Sequence, residues 1–77
     1  MSPKLPPLKA REVVSALMKA GFEFDHQTGS HAVYLRESDR RRVTVPMHGA
    51  KDLKRGTLAN IISQSGMRTS EFMELLR

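Results

Sequence analysis

The spacing of apolar residues changes at Gly21, and this change constrains the fold more than any other feature of the chain. Before Gly21, one apolar stripe follows the 3.6-residue period of an α-helix; its members are Val13, Val14, Leu17 and Met18. After Gly21, apolar and polar residues alternate with the period of two that is typical of β-strands. We therefore predict a first helix over residues 9–20, ended by Gly21 in the left-handed conformation of a helix C′ residue.

The alternation predicts three strands, over residues 22–26, 30–36 and 42–45. The connections between them are short, so the strands pair antiparallel, because parallel pairing needs a long crossover. We expect Phe22 and Phe24, together with Val43 and Val45, to supply the covered face of this sheet. Tyr34 is expected on the opposite face, where it is placed to stack on a base, dock a partner or support the sheet.

A helical period returns near the C-terminus. A second helix is predicted to start at Gly56 or Thr57 and to end at Gln64, with Gly66 as its stop. Its buried stripe is predicted to contain Leu58, Ile61 and Ile62.

A short last helix is predicted next, with Thr69 or Ser70 as its N-cap. Glu71 lies in its first turn, where a carboxylate complements the helix dipole. Its inward residues are predicted to be Phe72, Leu75 and Leu76.

The predicted order of elements is that of the double-stranded RNA-binding domain with an added short helix. It is an α+β fold, with helices on one face of a three-stranded antiparallel sheet. We predict a flexible leader over residues 1–7, which holds three of the four prolines, and a single domain over residues 8–77. A domain of this size has no room for a deep cavity, so any chemistry takes place in a shallow groove, which suits a polymeric substrate.

The composition narrows the choice of partner. Thirteen Lys and Arg against eight Asp and Glu give a net charge of +5, which favours nucleic acid or an acidic protein as partner. The chain has no cysteine, which excludes a cysteine nucleophile and a disulfide framework, and this favours a cytoplasmic protein. No apolar run approaches the roughly 18 residues of a membrane span.

Histidine is the best-suited reagent if the chain carries out proton-transfer chemistry, because imidazole gives and takes protons near neutral pH. A turn is predicted over residues 27–29, and His31 is the second residue of the strand predicted to follow it. On spacing alone, a lone strand histidine is more often structural. The three histidines, His26, His31 and His48, match no standard zinc spacing, so neither a metal nor a cofactor is predicted.

Five segments carry a recognisable pattern along the chain. They are Gly21-Phe22, Gly29-Ser30-His31-Ala32-Val33-Tyr34, Val43-Thr44-Val45-Pro46-Met47-His48, Lys54-Arg55-Gly56-Thr57-Leu58 with Ile61, and Phe72. In this order they resemble the HicA toxin family of bacterial toxin–antitoxin modules, over nearly all of the chain from about Leu8 onward.

Members of that family are small ribonucleases that cut mRNA, and the histidine of their Gly-Ser-His motif is catalytic. The resemblance therefore implies that His31 is catalytic. It also implies a HicB-type antitoxin that binds the chain and neutralises it. His26, where family members often have a basic residue, is a mild variation that bears on RNA contact.

Several residues are candidates for gripping RNA. Lys51, Lys54 and Arg55 form a basic cluster before the second helix, whose first backbone N–H groups add positive potential. The alternative for this cluster is a solvated run of charge. Arg41, in the middle of three arginines at a hairpin end, either reaches a neighbouring phosphate or keeps the sheet edge from pairing with another chain.

The turn and the loop after the third strand supply the remaining candidates. Gly29 allows a tight turn and a close approach of the phosphate chain. The Ser30 hydroxyl either bonds a phosphate oxygen or makes a simple hydrogen bond at the turn. His48 is a phosphate contact, a second proton donor or a residue that orders its loop.

The residues and the resemblance together leave three functions open. The first is a metal-free mRNA endoribonuclease, whose antitoxin presents acidic side chains over His31. The second is a non-catalytic double-stranded RNA-binding module that uses the same basic face. The third is an interaction domain for an acidic protein.

Overall fold

The computed structural model describes residues 5–76, which form three helices and one sheet. The helices are α1 (Ala10–Lys19), α2 (Arg55–Ser65) and α3 (Thr69–Leu75). The strands are β1 (Glu23–Thr28), β2 (His31–Arg36) and β3 (Arg41–Pro46). They pair antiparallel in the order β1-β2-β3, which confirms the predicted α+β fold. None of the helices within residues 5–76 is long and apolar enough to cross a membrane.

The core lies between the helices and one face of the sheet. The predicted helical stripes are largely buried. The apolar residues of α1, α2 and α3 that are almost fully covered are Ala10, Val13, Ala16, Leu17, Leu58, Ile61, Ile62 and Phe72. Val43 and Val45 of β3 are fully buried against them, as predicted from their alternation. Met18 is the exception in the predicted stripe of α1, because 57% of its surface is exposed.

The prediction for Tyr34 was wrong. Its ring belongs to the covered face and is 7% exposed. The register explains this, because Tyr34 lies opposite Val43, and Ala32 lies opposite Val45. Residues that face each other across two strands share a side of the sheet. Burial raises the pKa of the Tyr34 phenol above its ordinary value.

The prediction that both phenylalanines of the first strand belong to the core was half wrong. Phe22 is 1% exposed, but Phe24 is 56% exposed. Phe24 shares the covered side of the sheet with Tyr34, and the two rings meet edge to face with centroids 5.8 Å apart. However, every residue of β1 is exposed, because this edge strand extends beyond the cover of the helices.

The helix ends agree with the sequence in two cases and differ in one. Gly21 and Gly66 follow α1 and α2 with the positive φ expected of helix stops. For α3, the predicted N-cap was wrong, since Thr69 is already helical and Arg68 precedes it. The Arg68 backbone N–H donates to the Glu71 carboxylate at 2.8 Å, so Glu71 fills the role expected of a capping side chain.

The segment before α1 is tied to the loop before α2. The Leu53 N–H donates to the Leu8 carbonyl at 2.8 Å, and Lys9 Nζ lies 3.4 Å from an Asp52 carboxylate oxygen. Leu5, from the end of the predicted leader, packs against the core. The first four residues of that leader lie outside the described residues. The start of the domain therefore fixes the loop over residues 47–54, named the site loop below.

Candidate active site and nucleic-acid interface

A two-residue hairpin turn places His31. Thr28 and His31 are opposite each other at the ends of β1 and β2, and only Gly29 and Ser30 connect them. Gly29 has a φ of +57°. Positive φ at the first of two loop residues is typical of a type II′ turn, which requires glycine there and matches the twist of the strands. Because Ala32 points into the core, alternation turns the exposed His31 side chain to the uncovered face.

The pairing of β2 with β3 brings His48 to the same end of the sheet. His31 lies opposite Pro46, the last residue of β3. The Met47 N–H then donates to the Ser30 carbonyl at 2.6 Å, which extends the ladder one step beyond the strand. His48 follows directly and is exposed. Backbone pairing thereby holds the segments that carry His31 and His48 next to each other.

These two histidines line an open groove of about 440 Å³, which we call the histidine groove. Its walls are β2, the end of β3, the site loop and the first turn of α2. The lining residues are His31, Pro46, His48, Lys51, Asp52, Leu53, Lys54 and Thr57. The structure thus brings together four predicted site residues, namely His31, His48, Lys51 and Lys54.

The charges of the histidine groove leave positive charge available to a ligand. Asp52, the one carboxylate of its lining, is already paired with Lys9, outside that lining. Within the described residues, Lys51 and Lys54 make no ion pair or side-chain hydrogen bond, and the same holds for the His31 and His48 rings. The groove therefore offers two ammonium groups and two imidazoles to an anion.

The arginines at the β2–β3 hairpin contrast with these lysines, because each has a partner inside the molecule. Arg40 pairs with Glu37 at 2.7 Å, and Arg42 lies 3.3 Å from Asp25. Arg41 donates to the Gln64 carbonyl at 3.2 Å, at the end of α2. It is also five residues from Pro46 along β3, or roughly 17 Å. The structure does not bring Arg41 to the histidine groove.

Three further predicted site residues, Gly29, Ser30 and Arg55, border the groove without lining it, and His26 lies outside its lining. Gly29 and Ser30 form the turn next to His31, and nothing lies within 4 Å of where a Cβ of Gly29 would be. Arg55 lines a smaller neighbouring pocket with the segment over residues 5–7. The His26 ring is hydrogen-bonded through Nδ1 to Asp25 at 2.7 Å. That contact is the largest cause of a lowered pKa for the Asp25 carboxyl.

Sequence reasoning missed Asp52 and Thr57 in the groove and the contact from Lys9 that neutralises Asp52. Lys9 and Asp52 are 43 residues apart, and no local pattern signals their pairing. Thr57 lies in the first turn of α2, whose start at Arg55 is one or two residues earlier than predicted. Among residues 5–76, no three His, Asp or Glu side chains come together as a possible metal site.

Comparison with known proteins identifies one family. The family model described as "HicA toxin of bacterial toxin-antitoxin" matches residues 10–67. No curated protein matches the chain. The matched segment includes the Gly29-Ser30 turn, both histidines of the groove and all of α2.

Proposed function

The chain belongs to the HicA toxin family of bacterial toxin–antitoxin systems, and on that basis we propose that it is a metal-independent endoribonuclease that cleaves mRNA. Family membership makes it the toxin component and implies a cognate antitoxin. The single observation that carries the proposed activity is the histidine groove, where an exposed His31 stands beside two lysines that have no acidic partner within residues 5–76.

RNA supplies its own nucleophile, and this lowers what the protein must provide. The 2′-hydroxyl beside each phosphate attacks phosphorus once a base takes its proton, and positive charge stabilises the developing phosphorane. We assign the base to the His31 imidazole. A positioned base contributes typically about 10²–10⁴-fold, which is enough for a slow but toxic ribonuclease.

We assign binding of the RNA backbone to Lys51 and Lys54. Arg55 and the turn residues Gly29 and Ser30 contribute to it from the border of the groove. The first intrahelical hydrogen bond of α2 runs from the Leu58 N–H to the Lys54 carbonyl at 2.9 Å. The backbone N–H groups before it have no partner in the helix, and they add positive potential beside the lysines. A phosphate in the groove would be held by these charges while His31 acts on the adjacent ribose.

Replacing His31 by Ala tests this function. His31 is exposed, so we expect the variant to fold with a stability within about 0.5 kcal/mol of the wild type. Cleavage of a defined mRNA in the presence of EDTA should fall by about 10²-fold or more. Growth arrest and transcript decay on expression should disappear with it. His26→Ala is the matched control. The His26 ring lies outside the groove lining and is hydrogen-bonded to Asp25, so this variant should still cleave RNA.

Two results would contradict the proposal. If His31→Ala cleaves RNA at the wild-type rate, His31 takes no part in the chemistry. If the variant loses the native circular dichroism spectrum, His31 is a structural residue. Retention of RNA without cutting by the wild-type protein would instead support the double-stranded RNA-binding module, which uses the same basic groove. Neither binding nor cutting would favour an interaction domain for an acidic protein.

The antitoxin is proposed to be of the HicB type and to cover the histidine groove with an acidic surface. Carboxylates would associate quickly with the unpaired lysines and exclude RNA by occupying the same contacts. We therefore expect the antitoxin to displace RNA bound to the non-cleaving His31→Ala variant, as measured by competition. A stable ternary complex of toxin, antitoxin and RNA would mean that inhibition acts from another surface.

A further inference from the structure

His48 occupies a position that the function proposed above does not yet explain. It reaches the histidine groove from the site loop, whereas His31 reaches it from β2. The Met47–Ser30 hydrogen bond of 2.6 Å holds the residue next to His48 against the residue next to His31. Neither ring has a hydrogen-bond partner within residues 5–76, so both are available to a ligand.

Cleavage by the 2′-hydroxyl requires proton transfer at two different atoms. The attacking O2′ must lose a proton, and the leaving O5′ must gain one. Attack and departure occur on opposite sides of phosphorus, so one side chain cannot serve both atoms at once. With His31 as the base, the proton for O5′ must come from another group.

The remaining side chains of the groove do not suit that task. Asp52 is held by Lys9, outside the groove lining, and a carboxylate in an ion pair has no proton to give. The Thr57 hydroxyl is a weak acid, and Lys51 and Lys54 are suited to holding phosphate charge. Imidazole is the side chain that donates protons near neutral pH.

From this geometry, and resting on the proposed ribonuclease function, we propose that His48 is the general acid for RNA cleavage, acting in the same groove as His31, the base. Neutral His31 takes the proton of the 2′-hydroxyl as the O2′–P bond forms. Cationic His48 gives a proton to O5′ as the P–O5′ bond breaks. The products are a 2′,3′-cyclic phosphate and a 5′-hydroxyl, and a proton exchange with solvent returns both rings to their starting states.

A substrate with sulfur in place of the bridging O5′ tests this assignment. A thiolate leaves without being protonated, so the general acid becomes dispensable while the base is still needed. On ordinary RNA we expect both His31→Ala and His48→Ala to lose about 10²–10⁴-fold in rate. On the sulfur-containing RNA, His48→Ala should recover to near the wild-type rate, and His31→Ala should stay slow.

Two further measurements separate acid catalysis from phosphate binding. The wild-type kcat/KM should have a bell-shaped pH profile, and His48→Ala should lose the fall on the alkaline side, which reports the acid. Affinity for an RNA with a 2′-deoxy residue at the cleavage site should be nearly the same in both proteins. His48→Gln repeats the test with a hydrogen-bonding side chain, and His26→Ala is the histidine control, whose effect should not depend on the sulfur.

The outcomes distinguish this inference from the function on which it rests. If the wild type cuts RNA, His31→Ala does not, and His48→Ala cuts normally, then His48 is not the acid while the ribonuclease function stands. The same conclusion follows if His48→Ala loses affinity and cleavage in equal measure and sulfur restores neither. If the wild-type protein cuts no RNA, both proposals fail together.

Discussion

Lys51 and Lys54 differ from the arginines of the β2–β3 hairpin in their ion pairing, although all of them carry the same charge. The two lysines have no acidic partner within the described residues, whereas Arg40 and Arg42 each have one. A paired cation must give up its partner before it can bind phosphate, but an unpaired one only has to release water and counterions. The histidine groove is therefore the more favourable place for an anionic ligand.

Changing Lys51 and Lys54 together to Gln should weaken RNA binding. It should also make log K less dependent on log salt, with a slope smaller by roughly 0.7 for each phosphate of single-stranded RNA that the protein no longer neutralises. Binding measured at several salt concentrations gives that slope directly. Arg40→Gln with Arg42→Gln is the control of equal charge and should leave the slope unchanged. The opposite pattern would move the grip to the hairpin.

The sequence predicts the residues of the groove better than their pairing. The turn glycine, His31 and the lysines all lie in short local patterns, and local patterns are readable without coordinates. The ion pair of Lys9 with Asp52 joins residues that are 43 positions apart in the chain, so it depends on the packing of the whole chain. The contact of Arg41 also depends on the packing of the whole chain, because its guanidinium donates a hydrogen bond to the carbonyl of Gln64.

At the scale of elements, β1 is the part of the sheet that the sequence predicts least well. Phe22 and Phe24 have the same spacing and residue type, yet one is buried and the other is 56% exposed. Periodicity shows which residues share a side, but it does not show how far the helices extend over that side. The same limit explains Tyr34, because both sides of β2 carry apolar residues and the pattern alone does not choose between them.

The two phenylalanines should respond differently to truncation. Phe22→Ala removes a fully buried ring, so the free energy of unfolding should fall by about 3–5 kcal/mol. Phe24→Ala removes mainly the edge-to-face packing on Tyr34, worth about 0.5–1.5 kcal/mol. Urea unfolding of both variants measures the difference. Equal losses would mean that a part of the molecule covers β1 more fully than its exposure indicates.

At the scale of the whole molecule, Arg36 connects the sheet to the ends of two helices. Its guanidinium donates to the Ala20 carbonyl after α1 and to the Ser65 carbonyl in the last turn of α2, both at 3.1 Å. The same group lies 4.6 Å from the centre of the Phe22 ring. Asp39 completes the arrangement by accepting two further hydrogen bonds from Arg36.

This arrangement predicts a dependence of stability on pH in acid. The hydrogen bond from Arg36 is the largest cause of a pKa of Asp39 below its ordinary value of 3.8. Because the folded state lowers this pKa, the carboxylate stabilises the fold fully above 3.8, and the contribution is lost as the pH falls through the lower folded value. Thermal unfolding of Asp39→Asn should be less sensitive to pH in that range. Asp25 gives a second, independent site with the same sign.

The hydrogen bond between Leu8 and Leu53 has a consequence for where the functional unit of this chain begins. The segment shared with the family covers residues 10–67, but the carbonyl of Leu8 and the ammonium of Lys9 lie before it. Phe72, which is fully buried, lies after it. A fragment that contains only residues 10–67 would keep His31 and His48. It would lose the contacts of Leu8 and Lys9 that anchor the site loop. The segment that the family model matches is therefore shorter than the segment that holds the site loop and the core in place.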